Sequence, residues 1–430
     1  IDAQPGRVEQ TGARARRWDA DAKGEWHVRD GVALHAGALA VTEDQRWTSR
    51  PLFFFSDNDQ FSGRIGAHIG RVDSRHRFTP FLYYSTFSHL SRRAAIPQPV
   101  SDSGDKSRED LWKLDLAYNG VFGAHNVDAG IEMKRERLST SRLTSPRKTL
   151  SSVEPYAQWT IEAGAMSLVP GARLMYSDQW GTHFTPKFAM LYRPIPQLAV
   201  RGSVGMGYRA PEFKELYLLF LNTVGGFSYV VNGNPDLDPE TSTNTNLGVE
   251  WNGERVYGSL QLFHNRFSKF IENVYVGTDD GVEIYTYGNI DHGVTQGIDV
   301  QTGTSVFGVT LDASYSYLNA KQRGSNQQLL GRPAHSARVA ADYRLPLGVR
   351  TGVTFLYTGT TPVARDSSAS PEPGGSAAGS VAPATQYREA YARTDVRIAR
   401  RVGALLDVHG GVQNVFNTRP AGWPGLVGRQ

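Results

Sequence analysis

The chain has 430 residues, with 46 Lys+Arg against 42 Asp+Glu, a formal net charge of +4 and no cysteine. Hydrophobic residues make up 40%, mean hydropathy is −0.40 and no apolar run reaches about 18 residues, which excludes a helical membrane protein. Scattered, nearly balanced charge gives the pI of 9.1 no nucleic-acid meaning, and the missing thiols exclude disulfide scaffolds, Cys-based zinc sites and thiol nucleophiles while suiting an oxidising compartment.

Period-two alternation begins near residue 14 and recurs along nearly the whole chain. The first segment, about 14–28, ends at a tight turn near Arg29-Asp30-Gly31, and the next tight turn falls near Asp73-Ser74-Arg75. Trp112, Leu114, Leu116 and Tyr118 then oppose Lys113, Asp115 and Asn119, up to a turn near Val121-Phe122-Gly123. Val127, Ala129, Ile131 and Met133 oppose Asn126, Asp128, Glu132 and Lys134, and a further turn lies near Pro194-Ile195-Pro196. Leu247, Val249 and Trp251 oppose Asn246 and Glu250, ahead of the turn at Asn252-Gly253-Glu254. Val309, Leu311, Ala313, Tyr315 and Tyr317 oppose Thr310, Asp312, Ser314 and Ser316. Ala337, Val339, Ala341 and Tyr343 oppose Ser336, Arg338 and Asp342, and a turn follows near Leu345-Pro346-Leu347. A last strand is expected over about 404–416. Each segment has one apolar and one polar face, so the chain is read as all-β.

Alternation by itself also fits a soluble sandwich or propeller. The connections separate the readings. About eighteen candidate strands are joined by gaps that alternate short and long, with long polar loops expected near 48–59, 93–107, 138–150, 209–242, 273–282, 320–333 and 360–386. Short turns at one end and long loops at the other are the pattern of a transmembrane antiparallel β-barrel, in which closure satisfies the backbone in lipid. Trp18, Trp26, Trp47, Trp112, Trp159, Trp180 and Trp251 lie at or near strand ends, where amphipathic rings form interfacial girdles. The Ser/Ala/Pro/Gly-rich stretch 366–385 reads as a surface loop, not a domain linker.

Two stretches carry more than architecture. One runs Gly207-Tyr208-Arg209-Ala210-Pro211-Glu212-Phe213, followed by Gly233-Asn234-Pro235-Asp236-Leu237-Asp238-Pro239-Glu240. The other is Asn414-Val415-Phe416-Asn417. Together they resemble the barrel domain of TonB-dependent outer-membrane receptors, in which an aromatic-Arg-Ala-Pro box ends one strand, an Asn-Pro-x-Leu-x-Pro-Glu box starts the next, and an Asn-Val/Leu-Phe-Asn signature marks the penultimate strand. Residues 182–188 and 289–299 carry lesser resemblances. The likeness implies a receptor that binds and imports a scarce nutrient complex (iron-siderophore, haem or cobalamin) across the outer membrane of a Gram-negative bacterium. Its implied partners are outer-membrane lipid and lipopolysaccharide, the nutrient ligand, and the TonB complex through a plug domain. It also implies 22 strands, so this chain of about eighteen is expected to be a partial barrel over residues 1–430, lacking the plug, three strands before Ile1 and one after Gln430. The start at Ile1, with no Met and no leader, agrees with a processed piece.

Pro211, Pro235 and Pro239 cannot donate to a ladder, so they end and restart pairing at the rim. On the structural reading the box residues Tyr208, Arg209, Ala210, Pro211, Asn234, Pro235, Leu237, Pro239 and Glu240 hold a large loop on the barrel. On the functional reading the enclosed loop holds the ligand, through Tyr217, Phe220, Phe227 and Tyr229, since rings with few polar groups suit a bulky flat or macrocyclic molecule. The eleven histidines are dispersed, with no HxH or HxxxH pair, and none lies between Tyr208 and Leu237, which disfavours a haem-ligating histidine there. Tyr217 or Tyr229 remains a possible iron ligand. Asp57, Asp59 and the Asp102/Asp105 loop offer oxygen ligands for calcium, as in cobalamin receptors, yet Lys106 and Arg108 intrude and EF-hand spacing is absent, so no cofactor is assigned. Nor is there a nucleophile elbow, a phosphate-binding loop or a dinucleotide fingerprint, and no enzyme is expected. The alternatives are a passive outer-membrane pore, which ordinarily has a charged constriction, and a soluble extracellular β-sheet module.

Overall fold

The computed structural model describes residues 14–49, 52–71, 73–95, 104–143, 147–224, 227–322, 328–365, 385–403 and 406–418. The first wall strands are β1 (Arg14–Arg29), β2 (Val32–Ser49), β3 (Leu52–Ile69), β4 (His76–Ala95), β5 (Asp105–Phe122) and β6 (His125–Thr140). There follow β7 (Arg147–Ala163), β8 (Met166–Ser177), β9 (Gly181–Ile195) and β10 (Leu198–Arg209). A short helix α1 (Phe213–Tyr217) and a hairpin, β11 (Leu219–Val224) and β12 (Phe227–Asn232), intervene. The wall resumes with β13 (Glu240–Asn252), β14 (Val256–Asp279), β15 (Val282–Val306), β16 (Val309–Gln322), β17 (His335–Arg344) and β18 (Val349–Thr358). A second insertion, β19 (Thr361–Arg365) with β20 (Thr385–Arg388), precedes β21 (Tyr391–Val402) and β22 (Leu406–Val412).

Every wall strand pairs antiparallel with its predecessor, and the two insertions are skipped: β10 pairs with β13, and β18 with β21. The wall among the described residues therefore has the eighteen strands expected from periodicity. Tight turns at 30–31, 123–124, 164–165, 196–197 and 307–308 share one end, and the two insertions lie at the other.

Register makes the two faces continuous. Val249, Leu260, Val300 and Tyr315 stand in one row across β13–β16, and Leu247, Leu262, Ile298 and Tyr317 in the next. All eight are exposed, as an apolar surface is when its solvent is lipid. On the opposite face Asp115, Glu132 and Glu154 are directly paired across β5–β7, and Arg201 binds Glu250 at 2.8 Å across β10–β13. Lumen-facing Phe263 lies over Gly297 of the Gly-Ile-Asp segment, where a Cβ would meet the ring at 2.6 Å, and Asp299 accepts a 2.5 Å hydrogen bond from Ser316.

Several expected loops are strand. Residues 48–49 and 52–59 belong to β2 and β3, 138–140 and 147–150 to β6 and β7, and 273–282 form a hairpin tip at 280–281. At 3.3 Å per residue, β14 and β15, with 24 and 25 residues, run about 80 Å, far beyond the 9–11 residues that cross a membrane. Above the bilayer both faces meet water, so side chains there are polar whether or not the backbone is paired, and composition alone reads them as loops. The Asn-Val-Phe-Asn signature is also displaced. β22 stops at Val412, and Asn414 and Asn417 take φ of 52° and 50° in a turn in which Asn414 Oδ1 accepts from the Thr418 amide. Asn tolerates that left-handed backbone better than most residues.

The lipid face is testable. Val300→Arg, near the middle of the apolar band, is expected to destabilise the folded barrel in bilayers by about 2–4 kcal/mol, while lumen-facing Ser259→Arg changes it by less than about 1 kcal/mol. Denaturant unfolding in liposomes measures both, and equal penalties would overturn the assignment of faces.

Candidate functional site

The connection from β10 to β13 folds into a built rim. Arg209, the last residue of β10, binds both carboxylate oxygens of Glu240, the first residue of β13, at 2.8 and 2.6 Å. Its remaining nitrogen reaches Glu215 of α1 at 3.0 Å. Glu240 also accepts from the Ile271 amide at 2.8 Å, and Glu215 from the Glu212 amide at 2.7 Å. One guanidinium thus ties the two strand ends, the helix and β14 together with charge-assisted bonds.

Beneath this bridge lies a small apolar core. Leu216, Leu237 and Ile271 are 0%, 2% and 7% exposed, with Leu150, Trp180, Tyr217 and Tyr287 packed against them. Burial of each aliphatic side chain contributes about 1.5–3 kcal/mol, and Ile271, Leu150 and Tyr287 come from the wall strands, so the core fastens the loop to the barrel. Trp180 is therefore not a girdle residue: its indole donates to the Leu237 carbonyl at 3.1 Å, because the loop supplies an apolar surface with an acceptor at its edge. Asn234 donates to the Tyr287 carbonyl at 2.9 Å and accepts from the Asp236 amide at 3.0 Å. Asn289 bonds both to the Asp238 carbonyl and, through its oxygen, to the Asp238 amide. Gly233 passes so close to α1 that a Cβ would lie 2.5 Å from the Tyr217 nitrogen. Pro211 and Pro239 are buried at the two strand ends, Pro235 is exposed, and Ala210 is half-buried. The Tyr208 ring lies 4.4 Å from that of His183.

The four proposed ligand-contact rings separate. Tyr217 faces the small core, donates to Gln179 at 3.1 Å and carries the Lys148 ammonium 4.6 Å above its ring, so it belongs to the rim's own packing. Phe220 and Phe227 lie on the β11–β12 hairpin, opposite Val231 and Val224, and their side chains fall outside the described residues. Tyr229 sits where β12 adds in parallel to β15, and its ring meets that of Tyr285 edge-on at 6.1 Å. Tyr285 in turn meets Tyr275 at 5.6 Å, giving three tyrosines in the outer part of the projecting β14–β15 hairpin, toward its tip. Tyr275 and Tyr285 were not singled out in the sequence, since the signal linking them to Tyr229 is parallel pairing, which no local pattern encodes.

A cleft of about 630 Å³ opens on the lumen side under α1 and the Arg209 box. Its charges are mostly paired: Arg173 with Glu154 at 2.8 Å, Lys134 with Glu136 at 3.0 Å and Lys214 with Glu212 at 2.9 Å. The bond to Glu212 holds the Lys214 ammonium above its ordinary range. Glu109 has no ion-pair partner among the described residues, and desolvation in the cleft, then the charges of Glu136 and Glu212, raise its carboxyl above the usual range. Of the calcium candidates, Asp57 is bound by Arg92 at 2.6 Å, Asp59 accepts from Thr42 at 2.7 Å, Asp105 is paired with Arg142 at 2.7 Å, and Asp102 lies outside the described residues. No group of three or more His, Asp or Glu positioned to hold a metal occurs among the described residues. The dispersed histidines do produce one pair: His35 and His68 stack at 4.7 Å across β2 and β3, brought together by hairpin register.

An eighteen-stranded antiparallel meander with a lipid-facing apolar band, a charged lumen and a folded long-loop rim defines an outer-membrane β-barrel. The chain belongs to the TonB-dependent receptor-like β-barrel family, whose model matches residues 5–415. It is 29% identical over 269 residues to the iron-regulated outer membrane virulence protein of Vibrio cholerae, covering 59% of this chain and 38% of that protein. It is 25% identical over 268 residues to the vitamin B12 transporter of Photobacterium profundum, covering 62% and 38%. The chain thus spans under two fifths of the length of these curated relatives. The ferric enterobactin receptor of Pseudomonas aeruginosa has the same fold at a TM-score of 0.72 and 17% identity, over 95% of this chain and 66% of that one. The family and these relatives are receptors and transporters of the Gram-negative outer membrane.

Two expectations follow. Arg209→Ala leaves Glu215 and Glu240 without their shared cation and is expected to loosen the rim by about 1–3 kcal/mol, seen as faster amide exchange at Ile271 and Asn234 while the barrel stays heat-modifiable on gels. A carboxyl with a raised folded-state pKa binds its proton more tightly folded than unfolded, so its effect on stability improves as pH falls through that window. The gain in Tm between pH 7 and pH 5 is therefore expected to be smaller in Glu109→Gln than in the parent, and an equal gain would show that Glu109 ionises normally.

Proposed function

We propose that the protein containing this barrel captures a scarce nutrient complex at the long-loop rim and imports it with energy from the TonB complex, acting through a plug domain. The observation that carries the reading is the rim itself. A 30-residue connection between adjacent wall strands, 210–239 between β10 and β13, would be an entropic burden in a passive pore, yet here it is folded, cored and bridged by Arg209 over a lumen cleft. Iron-siderophore is the first ligand class, ahead of haem and cobalamin, a reading supported by the likeness to the ferric enterobactin receptor of Pseudomonas aeruginosa. The role is binding and passage without covalent chemistry on the ligand.

Tyr229, Tyr275 and Tyr285 provide the ligand-facing aromatic surface, while Tyr217 serves the rim. Flat or macrocyclic ligands stack on such rings with modest polar anchoring. Purified full-length protein is expected to bind one ferric siderophore more tightly than haemin or cobalamin in fluorescence titrations. Replacing Tyr229, Tyr275 and Tyr285 together by Ala is expected to weaken that binding by about tenfold or more, and unchanged affinity would move the contact surface to another loop. Binding of none of the three ligands would redirect the reading to carbohydrates or other metal chelates.

A further inference from the structure

The outward wall of β5–β7 carries a second feature, on the face opposite the cleft. Trp112, Met133 and Val153 are exposed there and belong to the lipid-facing set. One step further toward the long-loop rim, register places Trp112, Arg135 and Ser151 in a row across the three strands, then Asp110, Arg137 and Thr149, then Arg108, Ser139 and Arg147. Four guanidiniums thus share one small area of outer wall with a single carboxylate. That carboxylate, Asp110, is taken by Arg108 at 3.1 Å and by the Tyr84 hydroxyl at 3.0 Å. Arg135, Arg137 and Arg147 enter no ion pair among the described residues, and the Arg137 Nε is buried without a hydrogen-bond acceptor. The nearest glutamates in sequence, Glu109 and Glu136, lie on the lumen side, at the cleft.

Depth gives the patch its meaning. The Tyr84 and Trp112 rings meet at 4.3 Å, tilted by 35°, level with Arg135 at the lower edge of the patch, the amphipathic pair expected where hydrocarbon gives way to headgroups. Successive rows on one face are two residues, or about 6.6 Å, apart, so the arginines stand at headgroup level and not within the apolar band. The long-loop end is the extracellular one, which places them in the outer leaflet. Unpaired arginines here have neither a protein counter-ion nor the full hydration of a loop. Guanidinium forks match phosphate oxygens two at a time.

We propose that Arg135, Arg137 and Arg147 form a binding site for the phosphates of an outer-leaflet glycolipid, with its acyl chains lying along the Trp112, Met133 and Val153 wall. Apolar wall below and three free cations above give the two-part chemistry of a phosphorylated lipid, whereas a soluble anion would use only the upper half. Near-surface Lys or Arg charges act additively on anionic lipid and weaken with salt. The site is independent of what the rim transports.

The test is native mass spectrometry of the purified full-length protein in detergent with lipid A, with dephosphorylated lipid A and with phosphatidylethanolamine. Lipid A is expected to bind, and the other two much more weakly. The Arg135→Gln/Arg137→Gln/Arg147→Gln variant is expected to lose lipid A affinity by on the order of 100-fold. Lys321→Gln, on β16 across the barrel, is expected to leave affinity unchanged, and both variants should retain heat-modifiable mobility, which separates lost binding from lost folding. Equal binding of dephosphorylated lipid A, or full binding by the heat-modifiable triple variant, overturns the proposal. Displacement of lipid A by millimolar inorganic phosphate also overturns it, by showing a general anion site in place of a lipid site.

Discussion

Hydrocarbon offers no hydrogen-bond partner, so each backbone N–H and C=O that crosses it must be paired within the protein. The rest of this molecule depends on that constraint. It forces the unbroken antiparallel meander, and the meander fixes a two-residue period whose outward members are apolar and whose inward members are free to be charged. Slipping one strand by a single residue would put Glu132 or Glu154 into lipid and Met133 or Val153 into the lumen, so register is held from both sides. Few of the described residues are buried, because a wall one strand thick is stabilised by its ladder and by its two solvents more than by a central core.

Where the wall leaves the bilayer the constraint relaxes, and the chain builds local structure there. The connection between β10 and β13 makes its own local core from Leu216, Leu237 and Ile271 and uses Arg209 to fasten that core to both strand ends. The boxes that resemble family signatures are thereby explained physically: Pro211 and Pro239 interrupt the ladder, Asn234 and Gly233 pass the chain tightly around α1, and Glu240 collects the arginine and the Ile271 amide. The same construction separates residues that look alike in sequence. Tyr217 and Trp180 belong to the scaffold, while Tyr229 lies with Tyr275 and Tyr285 on the surface that the scaffold supports.

Much of the wall was legible because the rule that builds it is local. Alternation at Val309–Tyr317 or at Ala337–Tyr343 needs only neighbouring residues, and the tight turns near Gly31, Gly123 and Gly253 need only four. Residues 56–59 and the hairpin at 273–282 were not legible as strand, since above the membrane polar composition accompanies paired and unpaired backbone alike. Trp180 was misassigned for a related reason: a tryptophan at a strand end reads as a girdle ring unless one knows that Leu237 arrives to meet it.

The sequence by itself determined the all-β class, the strand number, the family and the place of the long loop, each of which rests on periodicity or on contiguous boxes. Only the tertiary structure decided which residues meet. The Arg209 bridge joins residues 31 apart, the tyrosine surface joins β12 to β14 and β15, and the outward arginines gather from β5, β6 and β7. Pairing register sets all three, and register is a property of two strands at once, so no single stretch of chain contains it.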